Sequence, residues 1–140
     1  MEELCTCPGE GDYICSVAWG ADGQYLAVGT SDAKVQIWDA SRCKQIRELN
    51  GHTNRVSCVA WNNTILSSGG RDSVINNWDV RKRRDEACVA SLTSHEQEIC
   101  GLKWSHSGEQ LASGGNDNNL CIHDSSFRLQ HKFNAHQVKP

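Results

Sequence analysis

Apolar residues in this chain come in short runs separated by turn-formers. Between the dipeptides Gly51-His52 and Trp78-Asp79 stand three such runs: 56–61 (VSCVAW), 64–68 (TILSS) and 73–78 (SVINNW). Asn62-Asn63 parts the first two, and Gly69-Gly70-Arg71-Asp72 parts the second from the third. Runs of this length, rich in Val, Ile and Trp and bounded by Asn, Gly and Asp, are strand signals, and close spacing makes them an antiparallel meander. A fourth strand is expected near 88–92. The same arrangement precedes this stretch at 13–19, 24–29, 34–38 and 44–49, with Ala21-Asp22-Gly23 as its first turn. It follows again at 99–104, 110–113, 119–123 and 128–133. The runs at 56–61 and 99–104 are apolar on both alternating faces, which predicts sheets covered from both sides by neighbouring sheets. No helical periodicity competes.

The arrangement is a repeat. Trp19, Trp61 and Trp104 close the first strands at steps of 42 and 43; Trp38-Asp39, Trp78-Asp79 and His123-Asp124 close the third strands at steps of 40 and 45. The markers Gly51-His52, Ser94-His95 and Ala135-His136 recur at steps of 43 and 41. Four strands per period, with Gly-His and Trp-Asp ends, resemble the WD repeat that forms propeller blades. The fold class expected is all-β: a partial WD-repeat β-propeller of about three four-stranded antiparallel blades. The units fall at 12–50, 51–93 and 94–134, with a lead-in at 1–11 and the start of a further repeat at 135–140.

Ser, His and Asp recur inside these units where catalysis is a natural suspicion. His52, Ser68, Asp72 and Trp78 match the hydrogen-bonded tetrad of WD repeats; His95, Ser113 and Asp117 match the same places one period later. A reaction centre has no need of copies, whereas a buried His and Asp must be partnered in every copy. The sets are therefore read as scaffold, no residue is assigned a catalytic role, and no enzyme is expected. The first unit departs from the pattern with Val28 where Ser is expected, and the third with His123 in place of Trp.

Composition narrows the function classes. The net charge of −3 favours neither nucleic acid nor membrane as a partner, and no apolar run is long enough for a bilayer span. The acidic start MEELCTCPGEGD lacks a signal-peptide core, so an intracellular location, nucleus and cytoplasm, is expected. Of eight cysteines, Cys15, Cys58, Cys100 and Cys121 fall in strand runs and are expected to be small buried side chains with free thiols. Neither Cys5-Thr-Cys7 nor Cys121-Ile-His123 has the spacing of paired zinc ligands, so neither metal nor other cofactor is expected. The basic run from Arg81 to Arg84 is diluted by Asp85-Glu86 and reads as a solvated loop. Trp78, Asp79 and Arg81 also match the WDxR box by which some propellers dock onto cullin-type ubiquitin ligases. That leaves a generic WD scaffold or a cullin-type substrate receptor as the alternative function.

Longer stretches carry a narrower resemblance. EICGLKWSHSGEQLASGGNDNNL (98–120), GDYICSVAW (11–19), QYLAVGTSDAKVQIWD (24–39) and VAWNNTILSSGGRDSVINNWDVR (59–81) are similar to the fizzy and fizzy-related family, activators of the anaphase-promoting complex. The resemblance implies a substrate adaptor for a ubiquitin ligase in cell-cycle protein degradation. Its partners would be anaphase-promoting-complex subunits and degron-bearing cell-cycle substrates. It also implies that Asn116 and Asn118 of the GGNDN loop read a Lys-Glu-Asn degron while Asp117 points inward. Family members carry a ligase-binding C-box and a terminal Ile-Arg tail, neither found here, and about seven blades. The three units resemble the second to fourth, and the groove for the destruction box lies elsewhere. A truncated relative is expected, with open sheet faces prone to self-association.

Overall fold

The computed structural model describes residues 12–21, 23–83 and 86–134. The expected lead-in 1–11 and further repeat 135–140 lie outside the described residues, as do Cys5, Cys7, Asp22, Arg84, Asp85 and the marker Ala135-His136. Three four-stranded antiparallel sheets follow one another along the chain. Sheet one is β1 (Ile14–Trp19), β2 (Tyr25–Thr30), β3 (Lys34–Asp39) and β4 (Lys44–Asn50). Sheet two is β5 (Val56–Asn62), β6 (Ile65–Gly70), β7 (Ile75–Asp79) and β8 (Cys88–Leu92). Sheet three is β9 (Ile99–Trp104), β10 (Gln110–Gly115), β11 (Asn119–Asp124) and β12 (Leu129–Asn134).

One register serves all three sheets. Trp19 pairs with Leu26, Trp61 with Leu66 and Trp104 with Leu111. The pleat then sends Leu66, Ser68, Asn76 and Trp78 to one face of sheet two and Ser67, Asn77 and Ile75 to the other. The first face packs on sheet one, where Val35, Ile37 and Leu49 meet Val56, Val59, Leu66 and Trp78. The second packs on sheet three, where Ile75 and Leu92 meet Ile99, Trp104 and Leu111. Most of these side chains are fully buried, each stabilising the stack by about 1.5–3 kcal/mol. The core is therefore two apolar layers between three sheets.

Several expectations are corrected. Gly69 and Gly70 do not separate strands; they end β6. A Cβ on Gly69 would stand 2.6 Å from Ile99 Cγ2, so the glycine lets sheet three approach. The third strand of sheet two begins at Ile75, not Ser73. Ser73 has φ +70° and its N–H donates to the Gly70 carbonyl, which keeps it in the turn. The last strand begins at Leu129, since the Arg128 N–H is taken by Asp124 Oδ1 at 3.0 Å. The six described cysteines are free, but only Cys121 is buried. Cys15 and Cys58 are half-buried and Cys100 is exposed. Burial still pushes the Cys58 thiol up to about 12. The strand Ile99–Trp104 is covered on one face only, leaving Cys100 and Lys103 exposed.

Candidate functional site

Sheet two carries a closed hydrogen-bond chain at one end. His52 Nδ1 meets Asp72 Oδ2 at 2.9 Å, and His52 Nε2 meets Ser68 Oγ at 2.7 Å. Trp78 Nε1–H donates to the same Ser68 Oγ at 2.8 Å. Since the carboxylate only accepts, Nδ1 carries a proton and donates to Asp72. The Thr53 and Val74 N–H groups donate to the two oxygens of Asp72. Asp, His and Ser stand here in the order of a hydrolytic triad. Yet the His52 side chain is fully buried, Ser68 is buried and its oxygen is already engaged by the indole. No substrate reaches it; the chain pins two loops to two strands.

Sheet three builds the same chain with one partner changed. His95 Nδ1 lies 3.2 Å from both oxygens of Asp117, and His95 Nε2 lies 2.9 Å from Ser113 Oγ. Burial alone would push the Asp117 carboxyl up. The Glu96 and Asn119 N–H groups and His95 outweigh it and hold it at about 2. His123 occupies the tryptophan's register position, opposite Leu111 as Trp78 is opposite Leu66. Its Nε2 is 3.1 Å from Ser94 Oγ instead of Ser113, and its Nδ1 has no partner among the described residues. A Cβ on Gly51 would stand 2.9 Å from the Trp78 ring; Ser94 takes that position in sheet three because the smaller imidazole leaves room.

Burial, then the neighbouring His95, hold the His123 pKa below its ordinary value. Below about 6.5 the unfolded chain takes up a proton that the folded chain refuses, so stability is present above that value and lost as pH falls. We expect the urea midpoint to drop between neutral pH and pH about 5.5, with the slope reduced in His123→Asn. A second loss, from Asp117, follows below about pH 4 as the pH approaches its depressed pKa. A midpoint independent of pH through the first window would count against a neutral buried His123.

The turn between β10 and β11 is the candidate binding surface. Asp117 is buried within it, its side chain 5% exposed, while Asn116 and Asn118 on either side are exposed. The Asn116 N–H donates to the Glu98 carbonyl, the Asn118 N–H to the Gly115 carbonyl, and Asn118 sits at φ +64°. The Cys100 thiol donates to Asn116 Oδ1 at 2.8 Å. Beside the turn, Arg55 grips Glu98 by two bonds of 2.8 Å and joins sheets two and three; that pairing holds the Glu98 carboxyl low.

Trp78, Asp79 and Arg81 do not form one surface. Trp78 is buried in the tetrad, and Asp79 is buried under a fork from Arg81 Nε and Nη2 at 3.1 and 2.9 Å. Asp79 also accepts the Arg81 N–H, as Asp39 accepts that of Ser41 and Asp124 that of Ser126. The recurring aspartate thus caps the turn after each third strand, a role the spacing alone did not disclose. Among the described residues no cluster of three or more His, Cys, Asp or Glu could hold a metal ion.

Repeated His–Asp–Ser networks on stacked four-stranded sheets define a WD-repeat chain. The family model "WD domain, G-beta repeat" matches residues 86–124, and "Anaphase-promoting complex subunit 4 WD40 domain" matches residues 3–64. The chain is 48% identical over its full length to a B-type cell cycle switch protein, ccs52A, of Medicago truncatula, covering 27% of that protein. It is 55% identical, over 81% of its length, to the anaphase-promoting complex subunit cdc20 of Dictyostelium discoideum, covering 22% of it. It is 47% identical over its full length to Protein FIZZY-RELATED 2 of Arabidopsis thaliana, covering 26% of it. A chain in the crystal structure of a mitotic checkpoint complex superposes with a TM-score of 0.88 at 38% identity, over 93% of this chain and 40% of that one. The RRP9 WD40 repeats, at 19% identity and a TM-score of 0.83, share the fold. Over its own length the chain is homologous to fizzy-related and cdc20 WD-repeat proteins, and it spans about a quarter of the length of these relatives.

Proposed function

We propose that this chain forms part of a substrate-binding adaptor for the anaphase-promoting complex, binding degron peptides and catalysing nothing itself. The relatives' names associate them with that complex and with the cell cycle. The observation that carries the reading is the Asn116–Asn118 turn, two exposed amides held on a backbone fixed by the buried Asp117. Each amide offers a donor and an acceptor, which suits the Asn and Glu of a Lys-Glu-Asn degron, and a preformed turn lowers the ordering cost of binding. The partners would be complex subunits and degron-bearing cell-cycle substrates, met in the nucleus and cytoplasm, with neither nucleic acid nor membrane involved. The buried tetrads support the non-catalytic reading, since their hydroxyls are spent on structure.

A Lys-Glu-Asn peptide titrated into the protein and into its Asn116→Ala, Asn118→Ala variant tests this. We expect the variant to lose roughly tenfold or more in affinity, about 1.4 kcal/mol, with an unchanged circular dichroism spectrum. Equal affinity would end the assignment. The alternative, a cullin-type receptor using Trp78, Asp79 and Arg81, is less supported, because the indole is buried in the tetrad. The ligase subunits that co-purify with the chain separate the two readings.

A further inference from the structure

The turns that join the second and third strands of the sheets share one geometry. Ser31, Arg71 and Asn116 lead them, and their N–H groups donate to the carbonyls of Tyr13, Arg55 and Glu98. Asp32, Asp72 and Asp117 follow, and then Ala33, Ser73 and Asn118 at φ +73°, +70° and +64°. Arg71 thus stands on sheet two where Asn116 stands on sheet three. Both turns lie at the same end of two sheets that share an apolar layer.

The leading side chains differ in how they are used. Ser31 Oγ accepts the Tyr13 N–H, and Asn116 Oδ1 accepts the Cys100 thiol. The Arg71 side chain is exposed and makes no hydrogen bond or ion pair among the described residues. The carboxylates nearest to it are already held. Asp72 is taken by His52 and two backbone N–H groups, and Glu98 by the two-bond grip of Arg55. Other cations at this end are engaged as well: Lys34 with Asp32 and Glu48, and Lys132 with the Ser94 carbonyl. The backbone under Arg71 is fixed on both sides. The buried Asp72 follows it, and a Cβ on Gly70 before it would stand 2.5 Å from the Arg55 carbonyl oxygen.

We infer that Arg71 is a specificity-determining residue for the peptide on the Asn116–Asn118 turn, taking a carboxylate from the segment that flanks the Lys-Glu-Asn triplet. The inference rests on the degron reading above and adds a second point of contact to it. Stacked sheets lie about 10 Å apart and an extended peptide advances about 3.3 Å per residue, so the two turns are about three residues apart along it. A guanidinium presents its donors in a planar fork matched to a carboxylate, whereas the amides of sheet three carry no charge. Degrons with an acidic residue about three positions from the triplet are therefore favoured over those with a neutral or basic one.

Peptides titrated by fluorescence anisotropy test this: Lys-Glu-Asn in Gly-Ser flanks, and the same with a single Glu about three residues before or after the triplet. One of the acidic peptides should bind about fivefold more tightly than the neutral one, a gain that shrinks with added salt. Arg71→Gln should abolish the gain and leave the affinity for the neutral peptide unchanged. Arg71→Glu should instead favour a peptide with Lys in place of that Glu, an exchange that a merely structural role would not follow. Because the side chain is exposed, both variants should keep the wild-type thermal transition. A gain that survives in Arg71→Gln, or no gain from either flank while the neutral peptide binds, would overturn the inference and leave the turn assignment standing. If the neutral peptide does not bind at all, the turn assignment falls and the inference falls with it.

Discussion

Trp78→Ala is expected to destabilise the chain by about 3–5 kcal/mol, the range for deleting a buried aromatic side chain. The indole is 3% exposed, packs with Leu66 and Val59 in the layer between sheets one and two, and donates its only N–H to Ser68. Its ring lies so close to Gly51 that no Cβ fits between them, so the loop ahead of β5 is shaped around it. Alanine would open a cavity, free the Gly51 loop and leave Ser68 with one partner fewer. Domain stability is typically only about 5–15 kcal/mol, so a loss of this size is read directly as a large fall in the urea midpoint. Trp78→Phe keeps most of the volume and should cost only about 1–2 kcal/mol, largely through the donor that Ser68 Oγ loses. If alanine cost no more than phenylalanine, the ring would not be the packing element that its burial implies.

The fold was legible because its strongest determinants repeat. Trp19, Trp61 and Trp104 mark equivalent register positions, and one period carries a sheet's pleat, turns and polar positions together. Relationships between sheets were not legible. Nothing in the local pattern says that Trp61 donates to a carbonyl of β1, or that Gly69 is small because Ile99 lies 2.6 Å from where a Cβ would be. The glycines of 69–72 were expected in a turn because local reading knows Gly mainly by its turn preference; tertiary approach is the reason that applies here. Cys100 misled for a related cause: a strand residue's burial depends on which face another sheet covers.

At the candidate site, the exposed amides of Asn116 and Asn118 and the buried carboxylate of Asp117 follow from turn geometry, since backbone N–H groups converge on the Asp117 side chain and turn it inward. The Cys100 contact to Asn116 and the Arg55–Glu98 grip beside the turn had no sequence signal, since they join residues 16 and 43 positions apart. The substitution of His123 for tryptophan was visible, but its compensation by Ser94 was not. Ser94 reads as a mere variant of Gly51 until the two side chains are seen to share one volume.

That shared volume yields a reciprocal expectation. His123→Trp alone should cost about 1–3 kcal/mol, because an indole placed as Trp78 is placed would run into the Ser94 side chain. Ser94→Gly alone should also cost about 1–3 kcal/mol, since it leaves both nitrogens of buried His123 without partners. Together the changes remove the collision and the orphaned imidazole at once. The new indole would then stand over a glycine and donate to Ser113 Oγ, which sits in sheet three where Ser68 sits in sheet two. The double variant is therefore expected to be at least as stable as the starting chain, and to lose the pH dependence between about 5.5 and 7 that His123 imposes. A double-mutant cycle measured by urea unfolding should return a favourable coupling of about 0.5–3 kcal/mol or more. Costs that simply add would show that Ser94 and His123 do not compete for the space that Trp78 fills in sheet two.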